Sequence, residues 1–519
     1  MKIMIPWFFA VLSGLLGFLG YVGYGLFFLE WVFLVPLLWA MRAESPGRAF
    51  LLGWLAGTVG HAGGFYWLVH MLTVFAGLSV IPAVIALLAY AAYNGVSFAL
   101  VAWCVRRLQQ RSGWSPWWTA PLAWAAMEQV FPFVFPNYIG ASQHPLPPLT
   151  QLADITGIIG VSAVLIWGNA TIYRVMAQRV AGAAPPLREV GLFLLAVTAA
   201  AVYGVWRISA IDAAAAKAPK IRVAVIQAGK GEAFKHHRPD EFVRIHQEMS
   251  RTAVSGSLDR DVDLVVWPES VITSPLHHRA AAVPCRLTGA TGKPVLFGAL
   301  TMERKAGERK KYTGAMLIDG GCRVRGTYHK RILVPFGEYI PFGDRFPFLY
   351  RHLPYTSRFS PGEDSTPLRF RNYRFSVNIC YEDLFPRFVR QGMRAEREDG
   401  LLPHAIINLT NDSWYGDTAE PMQHLVLASF RAIEHRRSLV RATNTGISAI
   451  VDPVGRLNNR TGQWTREILR GDVPMMEGGT FYSRAGNWFG WTACVLTAGW
   501  LAHSFRSGRS GKRNRRLRR

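Results

Sequence analysis

Several features that identify common kinds of site are missing from this 519-residue chain. Its five cysteines stand far apart, with neither a CxxC pair nor a Cys and His spacing that would build a zinc site. No glycine-rich phosphate loop follows the first strand that the pattern predicts, and no internal repeat of about 20 to 50 residues is present. We therefore expect no metal site, no cofactor and no repeat architecture.

Charged residues are also scarce in the first part of the chain, up to about residue 216, where Leu, Ala, Val, Phe, Trp and Gly dominate. Apolar runs near the length of about 20 residues that crosses a bilayer predict about eight membrane spans. These runs lie at residues 4–20, 24–41, 49–76, 79–105, 117–135, 155–176, 190–208 and 487–505. Residues 217–476, in contrast, have the composition of a soluble α/β domain.

Lysine and arginine are absent from the loops near residue 21, near residue 77 and at 136–152, whereas the alternate loops and the tail contain many. Because cytoplasmic loops hold the excess of these residues, the amino terminus and the tail are predicted to be cytoplasmic. The net charge of +24 is explained largely by this distribution, so we expect no nucleic-acid partner. The predicted domains are a seven-span membrane domain at 1–216, an extracytoplasmic catalytic domain at 217–476, an eighth helix at 485–505 and a basic cytoplasmic tail at 506–519.

Within the soluble region, short apolar runs alternate with helical patterns, which predicts a layered α/β domain. Three of its segments bring a reactive side chain to the end of a predicted strand. DLVVWPES leads to Glu269, TYHKRILVPFGEY contains Lys330 and Glu338, and FSVNICYED delivers Cys380, which we expect to be exposed to a substrate. A carboxylate can deprotonate the thiol, and an ammonium can stabilise the thiolate and an oxyanion. Taken singly, each residue has a simpler explanation: a strand end, a surface cation or a buried thiol.

The order and setting of these residues resemble the nitrilase superfamily, whose members use a Glu, Lys and Cys triad on an αββα sandwich. The resemblance covers about residues 220–473. Such a domain inserted between membrane spans is similar to the apolipoprotein N-acyltransferase family, as are NDSWYGD at 411–417 and RATNTGISA at 441–449. One departure is that no Trp occurs between residues 228 and 237, where that family has one, and Phe234 is the nearest large aromatic residue.

The resemblance implies a multi-pass enzyme of the bacterial inner membrane with its catalytic domain on the periplasmic side. It implies transfer of an acyl chain from the sn-1 position of a phospholipid, through a Cys thioester, to the N-terminal amine of diacylglyceryl-cysteine lipoproteins. The expected partners are the phospholipid, the diacylated apolipoprotein and the membrane, and we expect a monomer. The implied triad is Glu269, Lys330 and Cys380, and the implied supporting or substrate-binding residues are Glu338, Tyr381, Glu382 and Trp414.

Two other functions stay open at this point. A membrane-bound amidase or nitrilase would use the same triad with water as the second nucleophile, although seven preceding spans exceed what a tether needs. A catalytically inactive lipid-binding scaffold is disfavoured by the intact triad.

Two further features bear on the setting of the soluble domain. Cys285 and Cys322 can pair if their compartment is oxidising. The aromatic-rich segment VPFGEYIPFGDRFPFLYRHLPY is predicted either to lie at the bilayer interface or to cover the core as an ordinary loop.

Overall fold

The computed structural model describes residues 4–255, 261–305, 308–352, 356–395 and 402–516. The chain divides into two compact units. The helical unit comprises Met1–Thr73, Leu78–Ile208 and Arg484–Arg519, and the sheet unit comprises Val74–Gly77 and Ser209–Ser483.

Helices accompany each apolar run in the helical unit. They are α1 (Ile5–Gly20), α2 (Val35–Met41), α3 (Pro46–Gly64), α4 (Leu68–Val74), α5 (Val80–Ser112), α6 (Pro116–Val130), α7 (Pro147–Thr150), α8 (Ala153–Thr156), α9 (Ile158–Val180), α10 (Leu187–Lys217) and a final helix, Trp488–Arg516. Among the described residues, three of them, α5, α9 and α10, are long and apolar enough to cross a membrane. The helical unit is thus a candidate membrane domain, and the number of about eight spans stays a prediction.

Two of the predicted spans are interrupted well inside their length. The segment at 24–41 contains a short 3-10 helix, Phe27–Trp31, followed by α2, and the segment at 49–76 is divided between α3 and α4. Pro36 lies in the first turn of α2, where a missing amide hydrogen costs nothing. Helix α3 ends at the pair Gly63 and Gly64, and glycine is favoured at helix ends. Both interruptions therefore have a local cause in the sequence.

Helices α3 and α5 approach closely through small residues. A Cβ atom on Gly57 would lie 2.8 Å from the Cα of Gly95, and one on Gly53 would lie 2.7 Å from the carbonyl oxygen of Phe98. The ring of Phe98 packs edge-on against Trp124 on α6, with 4.8 Å between the ring centroids. Small residues that let helix backbones approach are typical of helix packing in membranes.

The final helix runs into the predicted basic tail. This helix ends at Arg516, and its side chains beyond Arg506, together with residues 517–519, lie outside the described residues. The orienting role of the tail accordingly stays a prediction.

Two sheets form the centre of the sheet unit. The strands are β1 (Lys220–Gln227), β2 (Leu264–Val266), β3 (Ile272–His277), β4 (Val295–Lys305), β5 (Glu308–Ile318), β6 (Val324–His329), β7 (Leu368–Phe370), β8 (Tyr373–Ile379), β9 (Ala405–Thr410), β10 (Ser438–Thr443), β11 (Ala449–Val451), β12 (Asn459–Arg460) and β13 (Glu467–Pro474). The helices of this unit are α11 (Glu232–His237), α12 (Pro239–Ser255), α13 (Leu349–His352), α14 (Pro386–Arg394), α15 (Glu420–His435) and α16 (Phe481–Ala485).

The first sheet has the strand order β13-β1-β2-β4-β5-β6, with β3 also paired to β4, and the second has the order β12-β11-β10-β9-β8-β7. Strands β1, β2 and β4 are parallel in the first sheet, as are β8, β9 and β10 in the second. Their nearly continuous Val, Ile and Leu content is typical of strands that are covered on both faces. The carboxyl ends of these parallel strands carry the residues of the candidate site.

A helix covers the outer face of each sheet. Phe242 and Met249 of α12 belong to one buried cluster with Trp267 and Phe297 of the first sheet. Helix α15 contacts β10 and β11 of the second sheet, and β1 contacts β10 across the interface between the sheets. At the end of β1 the Gln227 side chain accepts hydrogen bonds from the second sheet's loops. This is the predicted αββα arrangement.

Two features of the sheets differ from the sequence prediction. The segment LVRATNTGISAIVD reads as one run but forms two antiparallel strands, β10 and β11. Strand β13 was not predicted, although it pairs with the whole of β1 from Lys220 opposite Pro474 to Gln227 opposite Glu467. Its sequence, EILRGDVP, mixes charged and apolar residues, as is common at the edge of a sheet.

Cys285 and Cys322 form a disulfide, with 5.4 Å between their Cα atoms. The bond joins a 3-10 turn, Cys285–Thr288, to the turn between β5 and β6. Cys104, Cys380 and Cys494 are free thiols.

Candidate active site

Each residue of the predicted triad follows a strand of the sheet unit. Lys330 comes directly after β6, Cys380 directly after β8, and Glu269 lies in the turn that follows β2. The three residues are 1, 5 and 6% exposed, respectively. The expectation that Cys380 is exposed is therefore wrong, because the whole 3-10 helix that it begins, Cys380–Leu384, is buried.

Lys330 lies between two carboxylates. Its Nζ is 2.9 Å from Oε1 of Glu338 and 3.4 Å from Oε1 of Glu269. The other oxygen of Glu338, Oε2, accepts a hydrogen bond of 2.8 Å from the amide of Val334. Glu338 thus anchors the ammonium to the chain that follows β6, and Lys330 links this anchor to Glu269.

Cys380 occupies a backbone conformation that only glycine adopts freely. Its φ is +50°, and it begins a 3-10 helix, Cys380–Leu384, immediately after β8. A left-handed conformation at a non-glycine residue costs free energy and persists only when the surroundings enforce it. A sharp turn of this kind after a strand is the arrangement that presents a nucleophile.

The charges around the triad favour a neutral thiol beside a charged ammonium. Burial raises the pKa of the Cys380 thiol well above its usual range, the Glu269 charge adds to this, and Lys330 opposes it. Burial lowers the pKa of Lys330, but the charges of Glu269 and Glu338 outweigh it and the pKa is raised. Burial also raises the pKa of Glu269, although Lys330 opposes the shift. Glu269 is thereby made a better proton acceptor than an exposed carboxylate.

Glu382 connects the two segments that carry Lys330 and Cys380. Its Oε2 accepts hydrogen bonds from Ile379 N at 2.7 Å and from the Tyr328 hydroxyl at 2.8 Å. Its Oε1 accepts from Arg331 N at 2.5 Å and from Ile332 N at 3.1 Å. One buried carboxylate therefore fixes the residue before Cys380 and the two residues after Lys330.

Tyr381 and Trp414 make aromatic contacts. Tyr381 is buried and packs edge-on against Phe385, with 4.9 Å between the ring centroids. Trp414 is half-buried in a short 3-10 helix, Asp412–Tyr415, and its ring lies 3.8 Å from that of Phe75, which belongs to the sheet unit. Their roles stay predictions.

The segment where the expected Trp is missing contains helix α11, which supplies a charge that the sequence did not reveal. Lys235 is buried, pairs with Glu232 at 2.7 Å and acts electrostatically on Glu269. Glu232 in turn accepts a hydrogen bond of 2.6 Å from Asn411, the first residue of NDSWYGD. A single Lys among polar residues gives no sign of burial, so only its spacing of three residues from Glu232 on α11 hinted at this pair.

Asn444, in the RATNTGISA segment, was also not identified. Its Nδ2 donates a 3.3 Å hydrogen bond to the carbonyl oxygen of Glu269. RATNTGISA therefore supplies a residue that bonds directly to Glu269, and NDSWYGD supplies one that bonds to the partner of Lys235.

The arrangement suits acyl transfer through the thiol. Glu269 can accept the thiol proton, Cys380 can attack a carbonyl carbon, and Lys330 can stabilise the oxyanion that forms. The acyl group can then pass to water or to an amine, because both nucleophiles need the same base and the same cation.

Comparisons with known proteins cover both units. Residues 13–171 match the apolipoprotein N-acyltransferase N-terminal domain, and residues 222–480 match the carbon-nitrogen hydrolase family. A protein of Geobacter metallireducens named apolipoprotein N-acyltransferase is 33% identical over 506 residues, which cover 95% of this chain and 94% of that protein. A protein of the same name from Pseudomonas putida is 30% identical over 483 residues, which cover 89% of each chain.

Among solved structures, Nit3 of Saccharomyces cerevisiae, a member of branch 10 of the nitrilase superfamily, resembles part of the chain. It is 20% identical, covers 49% of this chain and 90% of its own, and gives a TM-score of 0.35. A TM-score of 0.35 is too low to support a family assignment. The assignment therefore depends on the full-length relatives and on the two domain matches. By these matches, the chain belongs to the apolipoprotein N-acyltransferase family.

Proposed function

We propose that this protein transfers an acyl chain from the sn-1 position of a phospholipid to the N-terminal amine of a diacylglyceryl-cysteine lipoprotein, through a thioester on Cys380. This is the last step of lipoprotein maturation. The observation that carries the proposal is the buried charge arrangement at the strand ends, where Lys330 bridges Glu269 and Glu338 beside a strained Cys380.

In the first half-reaction Glu269 accepts the thiol proton as the Cys380 sulfur attacks the ester carbonyl. The carbon–oxygen double bond becomes an oxyanion, which the Lys330 ammonium stabilises. The intermediate collapses by breaking the ester bond, and the leaving alkoxide takes the proton back from Glu269. A thioester and a lysophospholipid result. The raised pKa of Cys380 supports this order, because a buried neutral thiol needs a base at the moment of attack.

In the second half-reaction the neutral α-amino group of the lipoprotein cysteine attacks the thioester carbonyl. Glu269 accepts a proton from the nitrogen, Lys330 again stabilises the oxyanion, and the carbon–sulfur bond breaks. The proton returns from Glu269 to the departing sulfur. The product is an amide, and the free Cys380 thiol is regenerated.

The remaining predicted site residues have supporting roles in this proposal. Glu338 orients the Lys330 ammonium, and Glu382 holds the Cys380 turn against the Lys330 segment. Tyr381, next to the nucleophile, and Trp414 contact the substrates. Their ring faces suit acyl chains and the glyceryl part of either lipid.

The setting we propose is the bacterial inner membrane, crossed by about eight spans, with the sheet unit on the periplasmic side and the protein acting as a monomer. The distribution of Lys and Arg among the loops supports this orientation. The disulfide between Cys285 and Cys322 supports it independently, since disulfides persist in oxidising compartments such as the periplasm.

The aromatic-rich loop after β6 is proposed to lie at the bilayer interface and to guide acyl chains toward Cys380. Phe336 and Phe342 are 61 and 76% exposed, and Phe346 and Phe348 are 44 and 48% exposed. Phe336 and Phe342 also have positive φ values of 64° and 61°. Large exposed rings support contact with an apolar surface better than a role in covering the core.

The test is intact mass spectrometry of the purified protein after incubation with a phosphatidylethanolamine that carries palmitoyl at sn-1 and oleoyl at sn-2. We expect a palmitoyl-sized, hydroxylamine-sensitive mass increase, and a synthetic diacylated lipopeptide should remove it and become triacylated. Cys380→Ala should stay unmodified. Cys104→Ser, which alters a free thiol of the helical unit, serves as the matched control and should behave as wild type.

Other outcomes would identify the alternatives. An oleoyl adduct would contradict the sn-1 assignment. A thioester that water discharges as fast as the lipopeptide would indicate a hydrolase. The absence of any adduct, while the lipid demonstrably binds, would favour the inactive lipid-binding scaffold.

A further inference from the structure

A set of buried charges lies behind the Cys380 turn and takes no part in the chemistry described above. We call it the buried ionic network, and it consists of Asp383, Asp412, Glu420, His424 and Arg441, all of which are buried. Buried charges are costly unless they are paired and hydrogen-bonded, so five such side chains gathered in one place call for an explanation.

Arg441 is the centre of the network. Its Nη1 donates to Asp383 Oδ2 at 3.2 Å and to Asn408 Oδ1 at 2.8 Å. Its Nη2 donates to both oxygens of Asp412, at 3.1 and 2.9 Å. The guanidinium thereby connects the loops after β8 and β9 with β10, and its planar fork fits this geometry in a way that a lysine cannot.

His424, on α15, supplies the second cation. Its Nε2 lies 2.8 Å from Asp383 Oδ1, and its Nδ1 lies 3.4 Å from Asp412 Oδ1. Burial and the Arg441 charge lower the pKa of His424, but the Asp383 and Asp412 carboxylates outweigh both and raise it to about 10. Burial and the Asp412 charge raise the pKa of Glu420 well above its usual range. His424 and Arg441 thus face the Asp383 and Asp412 carboxylates, and burial favours the protonated form of Glu420.

The atoms of Asp412, Glu420 and His424 lie within 4.8 Å of one another, as metal ligands do. In this chain, however, both oxygens of Asp412 are already bonded to Arg441. A divalent cation there would face a guanidinium and an imidazolium. The positive charge of the site therefore comes from the protein's own side chains.

The network reaches Cys380 through two short paths. Asn408 accepts from Arg441 with its Oδ1 and donates from its Nδ2 to the carbonyl oxygen of Cys380 at 3.2 Å. The Thr410 side chain lowers the pKa of the Cys380 thiol, and its Oγ1 donates to Asp412 Oδ1 at 3.1 Å. Asp383 itself belongs to the 3-10 helix that Cys380 begins. The backbone, the thiol and the turn of Cys380 are each tied to the same set of charges.

We propose that Asp383, His424 and Arg441 are positioning residues that enforce the strained conformation of Cys380 and so place its sulfur against Glu269 and Lys330. The inference rests on the proposed function only in taking Cys380 as the nucleophile. A φ of +50° needs more than one restraint, and Glu382 on one side of the turn and the network on the other provide them.

The test compares His424→Gln with His435→Gln, since both histidines are buried on α15 and His435 bonds to Ser483 rather than to the network. Arg441→Lys and Arg441→Met provide a second pair. Two rate constants are measured on folded protein: thioester formation from phospholipid, and alkylation of Cys380 by iodoacetamide. Melting temperatures are recorded so that variants of equal stability are compared.

We expect His424→Gln to slow thioester formation about 100-fold with the KM for lipid unchanged, as expected for a misplaced nucleophile. The same variant should be alkylated faster than wild type, because the released turn exposes the thiol. His435→Gln should change neither rate by more than about twofold. Arg441→Met should slow thioester formation, and Arg441→Lys should keep part of the rate that Arg441→Met loses.

Equal rates of thioester formation and of alkylation in His424→Gln and His435→Gln would overturn the proposal. Slower alkylation together with slower thioester formation in His424→Gln would also overturn it. If wild type forms no thioester at all, the proposed function fails instead. In that case the alkylation rates still decide whether the network holds the Cys380 turn.

Discussion

Replacing Lys330 with Met tests whether one ammonium neutralises the two carboxylates of the site. Lys330 is 1% exposed, and it is paired at 2.9 Å with Glu338 and at 3.4 Å with Glu269. Met retains most of the packed aliphatic chain, so the change removes the charge with little loss of volume. The buried Glu269 carboxylate and the half-buried Glu338 carboxylate then lose the cation that lies between them.

Removing one partner of a buried ion pair destabilises a protein by about 3–5 kcal/mol. For a unit of this size, each 1 kcal/mol lowers the melting temperature by about 2–4 °C, so we expect a decrease of roughly 10 °C. Loss of an oxyanion-stabilising group lowers kcat about 100- to 1,000-fold. The control is Lys311→Met, because Lys311 lies on β5 and is exposed. This change should lower the unfolding free energy by less than about 0.5 kcal/mol.

The loss of stability should depend on pH. Burial already raises the pKa of Glu269, and without the ammonium that opposes this shift its pKa rises further above that of an unfolded Glu, about 4.3. A carboxyl with a raised folded pKa binds more protons when the protein is folded, so stability falls as pH increases through that range. The difference in unfolding free energy between Lys330→Met and wild type should therefore be larger at pH 8 than at pH 5.

The assay is thermal unfolding of the purified protein in detergent at these two pH values, with a double variant added. Lys330→Met combined with Glu338→Gln leaves one carboxylate, and the Gln side chain can still accept from Val334. We expect the double variant to be more stable than the single one. A double variant that melts lower, or a single variant within about 1 kcal/mol of wild type, would refute the reasoning.

Two further predictions concern the setting of the site. The double variant Cys285→Ser with Cys322→Ser should lower the unfolding free energy by about 2–4 kcal/mol, because the disulfide closes a loop with a sequence separation of 37. Thioester formation, followed by mass spectrometry, should be unchanged. Loss of the thioester in this variant would contradict a purely stabilising role of the disulfide. Phe342→Ser should raise the KM for vesicle phospholipid several-fold without changing the melting temperature, and an unchanged KM would argue against contact between this loop and the bilayer.

The strand ends that carry the triad could be predicted from the sequence because the signals are local. Val and Ile runs predict buried strands, and a reactive residue at the end of a run is visible within a few positions. Lys330 and Cys380 each follow their strand directly. The fold class followed from the same alternation of strands and helices.

The contacts that hold the triad are not local, and this is why they were not predicted. Arg441 and Asp383 are 58 positions apart, and Asn444 and Glu269 are 175 positions apart. The exposure of Cys380 was predicted wrongly for the same reason, since a strand end says nothing about which distant loops cover it. Glu382 was expected to support the site, but its four donors come from two segments that only the fold brings together.

The closed setting of Cys380 also affects the chemical lifetime of the enzyme. Thiol oxidation and disulfide exchange both proceed through the thiolate and require access to the sulfur. In the oxidising compartment proposed here, a free cysteine with a low pKa and an open approach would be consumed by small disulfides and peroxides. The resting Cys380 is 5% exposed and has a raised pKa, so it offers such reagents little thiolate and little access. The burial that makes a base necessary for catalysis therefore also preserves the nucleophile between turnovers.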